Sequence, residues 1–185
     1  MQPVPIRIFD VRKAISVPAV LRTMTIDDIA QWEGKWKPLL DDSGEEDSHW
    51  DWGEKYVAGS SRNFERFAIE QNGRTEGLMI CETAVHLSRK RKLPIVYVDY
   101  LAVAPWNRPS SPNPEFRMVG SQMIFCATQL SHDLGYKCRV GLHSLPNAET
   151  FYLDLGMPDF GKDRSYRNLR YFEFDEATGR RFARE

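Results

Sequence analysis

Ile95-Val-Tyr-Val-Asp-Tyr-Leu-Ala-Val-Ala104, a proline-bearing loop, and then Arg117-Met-Val-Gly-Ser-Gln122 at the head of an amphipathic stretch form the run that decides the fold. An apolar strand feeding a glycine-containing turn at a helix N-terminus is a place to hold phosphate. Unpaired amides point outward there, and the aligned peptide dipoles favour negative charge. The amphipathic pattern from Ser121 to Leu134 predicts a helix ended by Gly135. A second apolar strand, Cys138 to Leu142, and a short helix from Asn147 to Leu155 follow, the helix closed by Gly156. The two strands around the long helix are expected to lie parallel, joined by a right-handed crossover.

Outward from this unit, Ile6 to Val11 alternates as a first strand, and Ser16 to Leu40 reads as helical, with Thr25 capping a helix from Ile26 to Lys37. Trp50 to Val57 predicts a short helix. Phe64 to Glu70 and Thr75 to Thr83 predict a hairpin closed at Asn72-Gly73, a dipeptide suited to two successive positive φ angles. Pro109, Pro112 and Pro114 keep the following loop out of helix and sheet. Leu169 to Asp175 supplies a last strand. The expected class is α/β (α+β), one domain over residues 1–185, with a mixed central sheet of six to seven strands flanked by helices.

Composition narrows the function. With 25 basic against 26 acidic residues and a net charge of −1, bulk electrostatic attraction gives no case for nucleic acid or anionic lipid. No apolar stretch approaches the roughly 20 residues that span a bilayer, and the start Met1-Gln-Pro-Val-Pro lacks the basic and apolar regions of a signal peptide. Cys81, Cys126 and Cys138 read as reduced thiols, Cys126 in a helix and the other two in strands. His49, His86, His132 and His143 show no ligand spacing, so no metal is expected. These readings predict a cytoplasmic protein with no nucleic-acid or membrane partner, and they leave a homodimer open.

Three segments together resemble the GNAT superfamily of N-acetyltransferases, which move an acetyl group from acetyl-coenzyme A to an amine. Leu101-Ala-Val-Ala-Pro105 is similar to the family's Leu-x-Val-x-Pro strand end. Arg117-Met-Val-Gly-Ser-Gln122 is similar to its Arg/Gln-x-x-Gly-x-Gly/Ala phosphate turn. Ala148-Glu-Thr-Phe-Tyr-Leu-Asp-Leu-Gly-Met157 is similar to its tyrosine-bearing helix. Gln122 replaces the final small residue of the turn, the family's asparagine falls on Leu145 with Asn147 two residues late, and residues 109–116 are an insertion. Arg108 also sits near a turn position, but only Arg117 is followed by a glycine at the right distance.

The resemblance implies acetyl-coenzyme A as acyl donor and a small-molecule or peptide amine as acceptor. It places Leu101, Ala102 and Val103 along the pantetheine arm and thioester, Arg117, Met118, Val119, Gly120, Ser121 and Gln122 around the diphosphate, and Asn147 nearby. Tyr152 matches the general acid that protonates the departing thiolate; a core aromatic is the structural alternative. Asp99 matches a position where some members carry a base; an ion-paired anchor is its alternative. The turn could equally be an ordinary helix start capped by Ser121. A catalytically degenerate acyl-coenzyme A sensor is the other functional reading. The basic run Arg89 to Lys92 and the acidic stretch Asp41 to Asp51 read as solvated loops, and Trp32, Trp36, Trp50 and Trp52 as packing aromatics.

Overall fold

A computed structural model of the chain describes residues 2–41 and 43–184. In chain order its elements are β1 (Val4–Asp10), β2 (Ile15–Thr23) and α1 (Ile26–Gln31), which widens into a π turn over Trp32–Trp36 and continues as α2 (Lys37–Leu40). There follow α3 (Trp52–Ala58), β3 (Phe64–Gln71), β4 (Arg74–Glu82) and β5 (Val96–Val103). A 3₁₀ turn at Pro105–Asn107 leads to β6 (Phe116–Arg117) and α4 (Val119–Asp133). β7 (Val140–Ser144), α5 (Glu149–Asp154), β8 (Asp159–Asp163), β9 (Leu169–Phe174) and α6 (Glu176–Phe182) complete the chain. The sheet order is β6-β1-β2-β3-β4-β5-β7-β9-β8. Among the described residues the sheet thus has nine strands rather than six or seven, and its parallel pair is β5 with β7, as the strand-helix-strand reading requires.

Each added strand has a physical cause. Residues 15–23 pair along β1 in register from Val4↔Leu21 to Asp10↔Ile15, burying Ala19 and Leu21. This alternation, not a helical period, governs Ser16 to Thr23. Pro18 is tolerated because pairing with β3 begins only at Val20. β6 is two residues long and pairs with β1 at Phe9 and Asp10. β8 is an edge strand interrupted by a bulge between Asp159 and Lys162, with Gly161 at φ +79°, so its local pattern reads as loop. Cys138 belongs to a turn at φ 63°, and β7 starts at Val140. Of the acidic stretch, Asp42 lies outside the described residues.

The chain divides into two compact units: Met1–Ile80 with Tyr100–Met123, and Cys81–Asp99 with Ile124–Glu185. In the first, Met24, Ile29, Trp32, Trp36, Leu40, Trp52, Leu78 and Ile80 form the core with Ala102 and Ala104 from the end of β5. Trp36 meets Trp106 edge-on at 6.1 Å, and Trp50 meets Tyr100 at 5.1 Å, so the tryptophans pack the core as their spacing implies. A buried ion pair braces this unit. Arg22 clamps the fully buried Asp28 with bonds of 2.7 and 2.9 Å, and Thr75 Oγ1 donates to the same carboxylate at 2.6 Å. Burial alone would raise the Asp28 pKa; the bonds from Arg22, Thr75 and Thr25 outweigh it and hold the carboxyl below its usual value. In the second unit, Val140, Leu142, Phe172 and Phe174 are buried on β7 and β9, and Phe182 of α6 stacks on Phe174 at 5.1 Å.

Candidate active site

The turn predicted to bind phosphate lies in the first unit. Arg117 is exposed, and its side chain makes no hydrogen bond or ion pair with a described residue. Met118 follows at φ 73°, a left-handed conformation that reverses the chain into α4. The first bond of the helix runs from the Gln122 N–H to the Met118 carbonyl at 2.9 Å. The amides of Val119, Gly120 and Ser121 therefore precede the helical ladder and are available to an anion. Ser121 Oγ donates to the Met118 carbonyl at 3.0 Å and caps none of them.

What seats this turn is a residue that motif reading passed over. A Cβ on Gly77 of β4 would lie 2.8 Å from Val119 Cγ1 and 2.9 Å from Met123 Cε. The first turn of α4 rests directly on the backbone of β4 because Gly77 has no side chain.

The neighbouring Glu76 is fully buried and organises the approach to the turn. Its carboxylate accepts from Arg74 Nε at 2.6 Å, Trp106 Nε1 at 2.8 Å and Asn107 Nδ2 at 2.7 Å, while its carbonyl accepts the Ala104 N–H at 2.9 Å. Asn107 Oδ1 accepts the Phe116 N–H at 2.9 Å, closing the other end of the insertion. A lone carboxylate within Thr75-Glu-Gly-Leu-Met-Ile-Cys81 was the available signal, since a buried charge requires partners.

Arg108 is committed elsewhere. It holds Asp47 through two bonds of 2.7 Å and donates Nε to the Val103 carbonyl at 3.0 Å. This separates it from the turn, which is left to Arg117. It also overturns the solvated-loop reading of the acidic stretch, because Asp47 is buried and Glu45 lies 3.3 Å from the same arginine. Leu101 and Val103 of β5 are half-buried on the face opposite Ala102, which enters the core.

The other candidates lie in the second unit. Tyr152 on α5 is buried, its ring 5.0 Å from Phe151 and 5.7 Å from Phe172. Its hydroxyl has no hydrogen-bond partner among the described residues, and burial pushes its pKa above the ordinary phenol value. The phenol is thus neutral across the physiological range and can donate. Asp99 is exposed on β5, and Asn147 is exposed in the turn before α5. The structure gathers Arg117 to Gln122 into one turn; Tyr152, Asp99 and Asn147 are placed in the other unit.

That unit also holds a polar cluster absent from the motif reading. His143 bonds the Tyr97 hydroxyl through Nδ1 at 2.8 Å and Asp163 through Nε2 at 3.1 Å. Glu82 accepts from His86 Nδ1 at 2.8 Å, and His86 Nε2 meets the Tyr166 hydroxyl at 3.1 Å. The rings stack crosswise, His86 on Tyr97 and His143 on Tyr166, each pair at 3.9 Å. Burial first, then the fields of Arg89 and His86, lower the His143 pKa to about 4. Both His143 nitrogens are engaged within this cluster.

No group of His, Cys, Asp and Glu among the described residues is arranged to hold a metal ion. No described helix is long and apolar enough to cross a membrane.

No protein-family model and no curated protein matches the sequence. Solved structures do match in fold. The GNAT domain of S. lividans PAT superposes with a TM-score of 0.61 at 12% identity, covering 94% of this chain and 96% of that one. Aminoglycoside N-acetyltransferase AAC(6')-Iy, in complex with a bisubstrate analogue, gives 0.55 at 18% identity, covering 78% and 94%. The KacTA–DNA complex gives 0.56 at 16% identity, covering 78% and 89%. This last likeness removes the expectation that nucleic acid is excluded: a near-neutral net charge averages over the surface, whereas a chain of this fold occurs in an assembly with DNA. The chain therefore has the fold shared by the GNAT domain of S. lividans PAT and AAC(6')-Iy.

Proposed function

We propose that the chain binds acetyl-coenzyme A and transfers the acetyl group to a primary amine. The observation that carries this reading is the turn at Arg117 to Gln122: three helix-start amides seated on Gly77, beside an arginine with no partner among the described residues, at the end of a strand. Such a turn holds a diphosphate through its backbone and neutralises it with one flexible cation. Coenzyme A accompanies AAC(6')-Iy in the solved neighbours, which supports the same donor here.

In the proposed reaction the neutral amine attacks the thioester carbonyl carbon. A C–N bond forms, the C–S bond breaks, and the sulfur leaves as thiolate. The amine's proton passes to Asp99 directly or through water, since an alkylammonium with a pKa of about 10.4 must lose a proton before it can attack. Amides in the Leu101–Val103 stretch meet the developing oxyanion. Tyr152, kept neutral by burial, donates to the thiolate.

The test pairs thermal-shift titration with acetyl-coenzyme A and thiol release across a panel of amines. Arg117→Ala should weaken coenzyme A binding about tenfold or more, the value of a charge-assisted hydrogen bond, without altering the fold. Binding without thiol release for any amine leaves the sensor reading in its place. No binding at all sinks both.

A further inference from the structure

We infer that the second unit carries a binding face for single-stranded nucleic acid, built from the turns at residues 89–92 and 162–167. This goes beyond acyl transfer and does not depend on it. Arg89 ion-pairs with Asp163 and donates its backbone N–H to Glu173 at 2.8 Å, and His86 holds the Tyr166 hydroxyl at 3.1 Å. These contacts set the two turns side by side. Lys90, Arg91, Lys92, Arg164 and Arg167 project from them and Lys162 stands near the end of β8, all exposed, and none lies within ion-pair distance of a described carboxylate. Asp175 is held below the usual carboxylate value chiefly by the Thr178 amide, with Lys90 the last contributor.

The acidic groups at this place are spent internally. Asp163 serves Arg89 and His143, Glu173 serves Arg89 and Tyr171, and Glu82 serves His86 and the amides of residues 84–86. Six exposed cations in and beside two adjacent turns, none ion-paired with a described residue, in a chain whose net charge is −1, create a local positive field that composition conceals. The backbone is left-handed at Lys92 and Arg167, one residue in each turn.

Among the cations stands Tyr166, 40% exposed, its ring stacked on His143 at 3.9 Å and 3°. An aromatic plate braced from behind and open in front, ringed by cations, matches a chain of phosphates carrying unpaired bases: the cations take the backbone and the ring takes a base. An anionic membrane would use the cations but has no use for a rigid stacking surface.

The experiment measures anisotropy of a fluorescein-labelled single-stranded RNA oligonucleotide with the full chain between about 50 and 200 mM salt. Six contacts predict a log–log salt slope of about −4, at about −0.7 per phosphate. Lys90→Glu with Arg91→Glu and Lys92→Glu should bring the slope to about −2 or shallower. Tyr166→Ala should weaken binding roughly tenfold with the slope unchanged. Circular dichroism melts confirm folding; should the triple variant not fold, Arg164→Glu with Arg167→Glu reads the same face. No binding at the lowest salt, or equal binding by the charge variants, overturns the proposal. So does undiminished affinity in Tyr166→Ala, or tighter binding to phosphatidylserine vesicles than to the oligonucleotide.

Discussion

Asn107 stands between Glu76 and Phe116, its amide nitrogen 2.7 Å from the buried carboxylate and its amide oxygen 2.9 Å from the Phe116 N–H. One side chain thereby joins β4 to the segment that enters the turn at Arg117. The insertion at 109–116 is consequently tied at its entrance and exit and held at Arg108 by Asp47.

Removing the acceptor should be costly. Glu76→Ala leaves the Trp106 indole and the buried Asn107 amide without their acceptor and takes one partner from Arg74, which keeps Glu115, and an expected loss of about 3–5 kcal/mol follows. Glu76→Gln keeps shape and part of the bonding, and should lose less, about 1–3 kcal/mol. Urea unfolding of the two variants checks the order; equal stability of Glu76→Ala and the parent chain would remove Glu76 from this role.

Gly77→Val forces a branched side chain into the space of Val119 Cγ1 and Met123 Cε. Overpacking of this kind costs about 1–3 kcal/mol. Because the displaced atoms belong to the first turn of α4, the KM for acetyl-coenzyme A should rise severalfold while kcat changes little. A variant with parental KM shows that the turn tolerates displacement.

Tyr152→Phe removes one oxygen from a buried phenol that has no hydrogen-bond partner among the described residues. Turnover should fall by roughly 10²-fold if the hydroxyl serves the leaving thiolate. The Kd for acetyl-coenzyme A, measured by calorimetry, should stay the same, which distinguishes a chemical role from a packing one.

His143 links stability to pH. Its folded pKa of about 4 lies below the unfolded value of 6.5, so the unfolded chain takes up a proton that the folded one refuses. The neutral cluster therefore contributes fully above pH 6.5, and this contribution is lost as pH falls toward 4, by about 3 kcal/mol at most. His143→Gln should show a flatter unfolding free energy between those limits in chemical denaturation at a series of pH values. An identical slope in the variant would assign the acid sensitivity to other groups.

The local signals were legible because they act over a few residues. Asn72-Gly73 turns the hairpin with both φ angles positive, at 49° and 75°, as the dipeptide predicts, and Gly135 and Gly156 end their helices at φ 76° and 75°. The parallel pairing of β5 with β7 followed from an apolar strand, a helix and a second apolar strand in succession. Asp28 shows the limit. It falls in the first turn of α1, where an acid is favoured by the helix dipole whatever its surroundings, yet its carboxylate is a fully buried hub for Arg22 and Thr75.

The order of residues alone settled where the chain reverses, which stretches are strand or helix over most of its length, and that a strand leads into an amide-rich helix start. Those outcomes depend on φ preference and on apolar period, both properties of near neighbours. Only the folded chain decided that residues 15–23 pair with β1, that Glu76 and Asp47 are buried rather than solvated, and that Arg89 meets Asp163 across 74 residues of chain. Each of those depends on partners distant in sequence, where pairing and exclusion of water, not local propensity, set the free energy.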